Sequence, residues 1–384
     1  MKPIPYGRQF ITEEDIQEVV KVLKSDYLTQ GPVINDFETA FAEYIGCKYA
    51  IAVSNGTAAL HLSALAMDIK KGDKIITTPI TFVASANCVR YCDGEVVFGD
   101  IDPETYLLDI NKVRELLESS PKGTYKGIIP VDFAGRPVNM EAFRILADEF
   151  NCWIIEDACH APGGYFVASN GDKYNCGNGH FADLSIFSFH PVKHIATGEG
   201  GIITTNNEKL YKKLLLLRTH GITKESSLLK ENHGGWYYEM QELGFNYRLT
   251  DFQAALGLSQ LKRADKGLQR RQEIASIYDK AFTGKTFIQK RTDFNEGHAY
   301  HLYVREFKRR KELYEYLRSV NIFAQVHYVP AHLMPYYKQF GWKEGDLLCA
   351  ENYYQHCLSL PMYPTLSYSE QNYVIDSIID FYEN

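Results

Sequence analysis

The 384-residue sequence contains no long hydrophobic run and no surplus of positive charge. Its longest apolar stretches, such as residues 49–53 and 153–155, are far shorter than the ~18 residues that a membrane-spanning helix needs. Residues 1–10 carry no apolar run of signal-peptide length, so we expect a cytoplasmic protein. Lys and Arg number 41 against 48 Asp and Glu, and the net charge of −7 argues against general binding to nucleic acids or anionic membranes.

The cysteine pattern does not indicate a metal site. The eight cysteines are scattered along the chain, and none of them forms a Cys-x-x-Cys pair. We therefore expect reduced, mostly buried thiols rather than zinc ligands, and no bound metal. The sequence shows no internal repeat and no low-complexity tract, which excludes solenoid and disordered architectures.

The composition is otherwise that of a compact globular protein, with 45 % hydrophobic and 23 % charged residues. Between residues 49 and 205, short apolar runs alternate with helical patterns, which predicts βαβ units and a mostly parallel sheet in an α/β fold. The predicted strands are residues 49–53, 74–77, 95–98, 127–131, 152–155, 184–188 and 201–204. The predicted helices between them are residues 57–67, 82–91, 111–117 and 140–149.

The pattern changes on both sides of this block. Two helical patterns precede it, over residues 13–24 and 36–45, and Gly31 and Pro32 are predicted to stop the first. After residue 264 the sequence turns to long charged helices mixed with strands. We therefore predict a large domain over residues 1–264 and a smaller α+β domain over residues 265–384.

The first candidate functional segment is SNGT at residues 54–57, between a predicted strand and a predicted helix. Small residues let the backbone approach an anion, and a helix N-terminus offers unpaired N–H groups and the positive end of the helix dipole. The segment is therefore a candidate phosphate site. A plain capped turn is the alternative, because Ser and Asn cap helices routinely.

Two ionisable side chains follow two other predicted strands. Asp157 is either a structural cap or an acid that holds a protonated ring nitrogen. Lys193 lies in FSFHPVKH at residues 187–194, a segment with little charge that is soon followed by GEGG at 198–201. Because burying an ammonium group is costly, burial would lower the pKa of Lys193 and make it an amine nucleophile and proton carrier. A buried ion pair is the alternative.

Together, a phosphate site, an acid for a ring nitrogen and a nucleophilic lysine meet the needs of pyridoxal 5′-phosphate (PLP). Phe82, on the loop after the predicted strand 74–77, is then a candidate for stacking on the ring, and an ordinary core position is the alternative.

At these residues the sequence resembles the DegT/DnrJ/EryC1/StrS family of sugar aminotransferases, which are fold type I PLP enzymes. The resemblance runs over nearly the whole chain. Besides the lysine segment, it rests on Gly31-Pro32, SNGTAAL at 54–60, TPITFVASAN at 78–87, EDA at 156–158, RTHG at 218–221 and GFNYR at 244–248.

The resemblance implies a role for each matching residue. Lys193 would form the Schiff base with PLP, and Asp157 would pair with the pyridine nitrogen. Phe82 would stack on the ring, and His160 would lie near the phenolic oxygen. The implied phosphate ligands are Gly56, Thr57, Ser188 and, from the neighbouring subunit, Asn246. A homodimer with two shared sites follows, and its interface is a place for the 27 Tyr and 21 Phe of the sequence.

One position separates two chemistries within the family. Members that act as 3-dehydratases carry His where the aminotransferases carry the Schiff-base lysine, and here Lys193 is intact. The resemblance therefore favours transamination, with L-glutamate as the amino donor.

Four segments resemble the C4 aminotransferases that use UDP-2-acetamido-2,6-dideoxy-β-L-arabino-hexos-4-ulose in pseudaminic acid biosynthesis. These segments are IPYGRQ at 4–9, LTQGP at 28–32, GWYYE at 235–239 and QVHYVPAH at 325–332. The substrate-binding candidates are Tyr6, Tyr27, Leu28, Thr29, Gln30, His327 and Tyr328. For His327, a structural histidine is the alternative.

Two other functions stay open at this point: a C4 aminotransferase for another nucleotide-linked 4-keto-6-deoxy sugar, and a PLP-binding regulator without catalysis. The regulator is disfavoured because no basic helix-turn-helix segment is visible. Residues 170–180 are longer and richer in Gly and Asn than expected in the family, and they form either part of the pocket rim or a surface turn.

Overall fold

The computed structural model describes residues 2–289 and 297–383 of the chain. The strands are β1 (Ile4–Pro5), β2 (Tyr49–Val53), β3 (Lys74–Thr77), β4 (Glu95–Phe98), β5 (Tyr125–Ile129), β6 (Trp153–Asp157), β7 (Tyr165–Val167), β8 (Lys173–Asn175), β9 (Leu184–Ser188), β10 (Gly201–Thr205), β11 (Ile222–Thr223), β12 (Glu239–Met240), β13 (Tyr303–Glu306), β14 (Ile322–Phe323) and β15 (Cys357–Leu360). The α-helices are α1 (Glu13–Leu23), α2 (Pro32–Ile45), α3 (Gly56–Ala66), α4 (Ala84–Tyr91), α5 (Ile110–Glu118), α6 (Met140–Phe150), α7 (Glu208–Arg218), α8 (Asp251–Leu261), α9 (Ala264–Phe282), α10 (Arg310–Ser319), α11 (Pro335–Lys338), α12 (Leu348–His356) and α13 (Tyr368–Glu383).

Seven strands form the central sheet, in the order β2-β10-β9-β6-β5-β3-β4. Only β10 in this sheet runs antiparallel to its neighbours, β2 and β9. The other neighbouring pairs are parallel. The prediction of a mostly parallel α/β sheet is confirmed, and all seven predicted strands belong to it. Since β2, β6 and β9 point the same way, their carboxyl ends meet at one edge, which is where open α/β sheets bind ligands.

The break between α1 and α2 differs from the sequence prediction. Pro32 does not stop a helix; it begins α2, and the preceding Gly31 is the N-cap. Proline is well suited to the first position of a helix, because its missing N–H would have no partner there and its φ is already helical. The helix predicted from residue 36 therefore starts one turn earlier.

The C-terminal part of the chain has a hydrophobic core of its own. This core combines buried residues of α9, α10, α13, β13 and β15. Ile4 of β1 joins it, because β1 pairs in parallel with β14. The first strand thus ties the N-terminus to the C-terminal part. The domain boundary at residue 264 stays a prediction, and residues 290–296 of the predicted second domain lie outside the described residues.

Residues 170–180 include one strand of an antiparallel hairpin, in which β7 pairs with β8. The base of this hairpin is fixed, because the Gly177 N–H donates to Glu156 Oε1 at 3.0 Å. None of residues 170–180 lines the large cavity described below. Residues 170–173 are exposed and Cys176 and Gly177 are buried, and the role of the segment stays a prediction.

Across residues 2–289 and 297–383, no helix combines the length and the apolar character that crossing a bilayer requires. The cytoplasmic location stays a prediction.

Candidate active site

A cavity of about 680 Å³ opens at the carboxyl ends of β2, β6 and β9. It brings together residues that the sequence places in six separate segments. Ten of the predicted site residues line it: Tyr6, Gly56, Thr57, Phe82, Asp157, His160, Ser188, Lys193, His327 and Tyr328. A volume of this size suits a cofactor together with part of a substrate.

The other five predicted residues lie away from this cavity within one chain. Tyr27, Leu28, Thr29 and Gln30 are exposed between α1 and α2, and Asn246 is exposed beside Thr219. Their predicted roles, including the contact of Asn246 with the neighbouring subunit, stay predictions.

The phosphate candidate is the N-terminus of α3. Asn55 caps the helix through its side chain, which accepts a hydrogen bond from the Ala58 N–H at 2.8 Å. The N–H groups of Gly56 and Thr57, in the first turn, have no partner within the helix and are free to bind an anion.

Close backbone packing holds this turn against the neighbouring strands. A Cβ on Gly56 would lie 2.9 Å from Ser188 Cβ. A Cβ on Gly201 would lie 2.6 Å from the carbonyl carbon of Asn55. Both contacts are too short for a side chain, so glycine at these two positions lets the turn approach β9 and β10.

Lys193 lies on the loop after β9 and reaches the cavity next to Asp157 and Cys159. Burial lowers the pKa of Lys193, and the nearby Cys159 and Asp157 oppose that shift only in part. The lowered pKa favours the neutral amine, which is the form that acts as a nucleophile and accepts a proton.

Asp157 ends β6 and is 5 % exposed. Its Oδ2 accepts a hydrogen bond from the Ser85 hydroxyl at 2.6 Å. Its Oδ1 accepts one from the Cys159 N–H at 3.2 Å. Each carboxylate oxygen is therefore held by a donor from the protein, which fixes the orientation of the group.

His160 lies on the cavity wall with a defined tautomer. Its Nδ1 accepts a hydrogen bond from the Ala134 N–H at 3.1 Å, so the proton of the neutral ring is on Nε2. Burial, followed by the charge of Lys193, holds the pKa of His160 well below its usual range. His160 is thus a neutral hydrogen-bond donor and not a cation.

The sequence prediction missed other residues that line the cavity, including Ser85, Cys159 and His301. Ser85 could have been found, because it lies one helical turn after Thr81 and Phe82 in the segment TPITFVASAN. For His301, the sequence near it carries no comparable pattern. The ring of His301 is brought to the ring of His160, with centroids 4.3 Å apart, by tertiary packing alone.

Two buried carboxyl groups lie close to each other beside Asp157. Glu156 accepts hydrogen bonds from the Gly177 N–H at 3.0 Å and the Ser185 hydroxyl at 2.8 Å. Asp132 accepts one at Oδ1, from the Val138 N–H at 2.7 Å. Among the described residues, no donor reaches Asp132 Oδ2.

A proton on Asp132 resolves this arrangement. Burial and then the charge of Glu156 raise the pKa of Asp132 well above its usual value. Asp157 and Cys176 are the other ionisable groups nearby; Cys176 is a neutral thiol because burial raises its pKa. Burial and the neighbouring carboxyl group therefore favour the protonated form of Asp132.

Replacing Asp132 with asparagine is expected to stabilise the protein increasingly as the pH rises. A carboxyl with a raised folded pKa contributes its full stability below its unfolded pKa of about 3.9, and it loses that stability as the pH rises through the folded value. The asparagine amide does not titrate and places no charge beside Glu156. Melting temperatures of Asp132→Asn and the parent protein, measured from pH 5 to pH 9, should diverge in favour of the variant.

The matched change at the other carboxyl is Glu156→Gln. It should destabilise the protein at every pH in this range, because glutamine has one acceptor oxygen for the two donors that Glu156 satisfies. Parallel curves for Asp132→Asn and the parent would show that Asp132 is not protonated in the folded protein.

Comparison with known proteins extends these observations. A profile described as the DegT/DnrJ/EryC1/StrS aminotransferase family matches residues 9–379. The chain is 39 % identical to the spore coat polysaccharide biosynthesis protein SpsC of Bacillus subtilis, over 98 % of this chain and 96 % of the relative. It is 37 % identical to a UDP-4-amino-4,6-dideoxy-N-acetyl-β-L-altrosamine transaminase of Campylobacter jejuni, over 99 % of this chain and 98 % of the relative.

Among solved structures, Helicobacter pylori PseC is similar over the full length of both chains. The TM-score is 0.89 and the sequence identity is 32 %. PseC is described as an aminotransferase involved in the biosynthesis of pseudaminic acid.

Proposed function

Because the chain belongs to the DegT/DnrJ/EryC1/StrS aminotransferase family, we propose that it aminates C4 of a UDP-linked 4-keto-6-deoxy-N-acetylhexosamine. The product is UDP-4-amino-4,6-dideoxy-N-acetyl-β-L-altrosamine, an intermediate of pseudaminic acid biosynthesis, and the amino donor is L-glutamate. The chain is a PLP-dependent nucleotide-sugar transaminase with a fold of type I. The observation that carries the reaction is the position of Lys193 beside Asp157 in the cavity, together with the lowered pKa of Lys193.

The residues of the cavity fit PLP. The free N–H groups of Gly56 and Thr57, with the Ser188 hydroxyl, suit a phosphate group. The Asp157 carboxylate suits a protonated ring nitrogen, and Phe82, which lines the cavity and is 58 % exposed, is available to stack on the ring. PLP supplies a covalent link to the amino group and an electron sink for the carbon that bears it.

In this proposal each residue has one task. The neutral amine of Lys193 accepts the proton from the α-carbon of glutamate and, in the second half of the reaction, delivers a proton to C4 of the sugar. Asp157 keeps the proton on the ring nitrogen through a charge-assisted hydrogen bond. His160 donates its Nε2–H to the phenolic oxygen.

The sugar is assigned to the wall opposite the phosphate site, where Tyr6, His327 and Tyr328 lie. His327 Nδ1 is 2.8 Å from the Ser359 hydroxyl, so Nε2 is the atom available to a ligand. Burial, followed by the charge of Lys193, lowers the pKa of His327 to about 3. These side chains therefore offer neutral hydrogen-bonding groups on flat surfaces, which suit the hydroxyl and acetamido groups of a sugar.

Asn246 supports a shared site in a homodimer. It is exposed, outside the cavity of its own chain, and the segment before it exposes large apolar side chains. Trp236 is 75 % exposed and Leu243 is 76 % exposed. Apolar surface of this kind is typical of a protein interface. We assign Asn246 to the PLP phosphate of the second subunit, and Tyr27 to Gln30 to the same shared region.

A C4 aminotransferase for another nucleotide-linked 4-keto-6-deoxy sugar is the second candidate. It is favoured by the fact that SpsC, at 39 % identity, is named for spore coat polysaccharide biosynthesis, whereas the altrosamine transaminase is 37 % identical to the chain. The two candidates share all the residues around Lys193 and differ only in the substrate.

A panel of nucleotide-linked 4-keto sugars distinguishes the two candidate functions. Purified holoenzyme and L-glutamate are offered the UDP-β-L-arabino 4-keto sugar, its D-xylo epimer, and GDP- and dTDP-linked 4-keto-6-deoxy sugars. The proposal predicts the highest kcat/KM for the first, with product mass and C4 stereochemistry read by mass spectrometry and NMR. Preferred turnover of a GDP- or dTDP-linked sugar would favour the second candidate. Failure to turn over any of the sugars would favour a PLP-binding regulator without catalysis.

A further inference from the structure

Ser85 is fully buried and makes one short contact with the acid of the site. Its hydroxyl lies 2.6 Å from Asp157 Oδ2, and Ser85 is 1 % exposed. The Ser85 oxygen also lies 2.8 Å from the hydroxyl oxygen of Thr81, which is 3 % exposed. Thr81 and Ser85 lie one turn apart, at the start of α4, on either side of Phe82.

Hydrogen-bond chemistry fixes the direction of this chain. An ionised carboxylate only accepts, so the single proton of Ser85 is donated to Asp157. A longer contact, at 3.4 Å, joins the same hydroxyl to the Phe82 carbonyl, and the short bond to a charged acceptor is the stronger of the two. The Ser85 oxygen must then accept from Thr81, and the chain runs from Thr81 through Ser85 to Asp157.

We propose that Ser85, supported by Thr81, is a positioning residue that holds the Asp157 carboxylate toward the pyridine nitrogen of PLP. Nothing in the resemblance to the family assigned a role to either hydroxyl. The inference rests on the proposed role of Asp157. Ser85 donates a hydrogen bond to Asp157 Oδ2, and the Cys159 N–H donates one to Oδ1. The Asp157 carboxylate therefore cannot rotate without losing one of these two hydrogen bonds.

The turn also links two contacts with the cofactor. The same five residues carry Phe82 to the cavity and Ser85 to Asp157. A displacement of this turn would therefore move the stacking ring and release the carboxylate together. Val83, the N-cap residue of α4, provides no side-chain cap. The buried hydroxyl groups of Thr81 and Ser85 near this helix start are explained instead by the coupling of Phe82 to Asp157.

The test compares three variants for PLP affinity, by titrating apoprotein with PLP and following the quenching of protein fluorescence. Ser85→Ala removes the donor to Asp157 and should weaken PLP binding by about 10- to 100-fold, since a hydrogen bond to a charged group is lost. Thr81→Val removes only the supporting donor and should have a smaller effect. Ser63→Ala, the matched control, deletes a buried hydroxyl that has no partner among the described residues, and it should bind PLP like the parent.

Kinetics separate positioning from a general loss of structure. In Ser85→Ala we expect kcat to fall with little change in KM for the sugar, because the Ser85 hydroxyl bonds to Asp157, Thr81 and the Phe82 carbonyl and to no sugar-wall side chain among the described residues. Wild-type PLP affinity and wild-type kcat in Ser85→Ala would overturn the inference. A lower melting temperature of Ser85→Ala with unchanged PLP affinity and unchanged kcat would also overturn it, because Ser85 would then have only a structural role.

The Asp157→Asn background distinguishes this inference from the proposed function. There, Ser85→Ala should change PLP affinity by less than about 2-fold, because the charged acceptor is already gone. If Asp157→Asn is impaired but Ser85→Ala is not, the role of Ser85 is wrong and that of Asp157 stands. If Asp157→Asn itself binds PLP and turns over like the parent, the role assigned to Asp157 is wrong, and the role of Ser85 fails with it.

Discussion

Replacement of Lys193 by alanine abolishes transamination, with turnover reduced by about 10⁴-fold or more. No other lysine lines the cavity among the described residues, so no second amine can take over its proton transfers. The visible absorption that the bound cofactor owes to this lysine is lost as well. Product formation from glutamate and the 4-keto sugar, followed by mass spectrometry, measures the effect directly.

Lys193→Arg is the matched control for this prediction. Arginine keeps a positive charge and a long side chain at the position, but it cannot act as a neutral amine at physiological pH. We expect it to be as inactive as Lys193→Ala. Substantial turnover in Lys193→Arg would show that Lys193 supplies only charge or packing, and substantial turnover in Lys193→Ala would show that it is not needed. Either result would remove its assignment as nucleophile and proton carrier.

Hybrid dimers of two inactive variants recover activity if the sites are shared. Asn246→Ala is expected to weaken PLP binding by about 10- to 100-fold, through the lost contact with the phosphate. In a hybrid with Lys193→Ala, one site combines the intact Lys193 of one chain with the intact Asn246 of the other. The second site carries both substitutions. A hybrid isolated with two different tags should therefore show about half the activity of the parent dimer, at PLP concentrations where both pure variants are nearly inactive.

The controls for the hybrid are the two pure variants carrying the same tags and assayed at the same PLP concentration. Activity no greater than the mean of those two would mean that each site is built from one chain. Asn246 would then have to be assigned to another role, and the exposed Trp236 and Leu243 would need a different partner.

Much of the site could be predicted from the sequence because parallel strands bring their carboxyl ends together. Gly56, Asp157 and Ser188 are far apart in sequence, but each follows or ends a strand of the same sheet and points to the same edge. The apolar runs that bury both faces of the sheet are equally visible in the sequence. Strand positions and the cofactor side of the cavity follow from these two regularities.

The remainder depends on tertiary packing that no local pattern records. His301 reaches the cavity from the segment before β13, more than a hundred residues after Lys193, and its own neighbourhood predicts only a strand. The prediction for Pro32 was wrong because a proline can either stop a helix or begin one. Only the capping geometry distinguishes the two cases. The binding role predicted for residues 27–30 stays a prediction, because these residues lie outside the cavity of the single chain.

One labelling experiment tests the central claim most directly. Holoenzyme is incubated with UDP-2-acetamido-2,6-dideoxy-β-L-arabino-hexos-4-ulose and L-glutamate labelled with ¹⁵N at the α-amino group. The account predicts that the label appears on C4 of the sugar product, in the altrosamine configuration, with one equivalent of 2-oxoglutarate formed. A product that carries the label at another carbon, or no labelled product from this sugar, would contradict it.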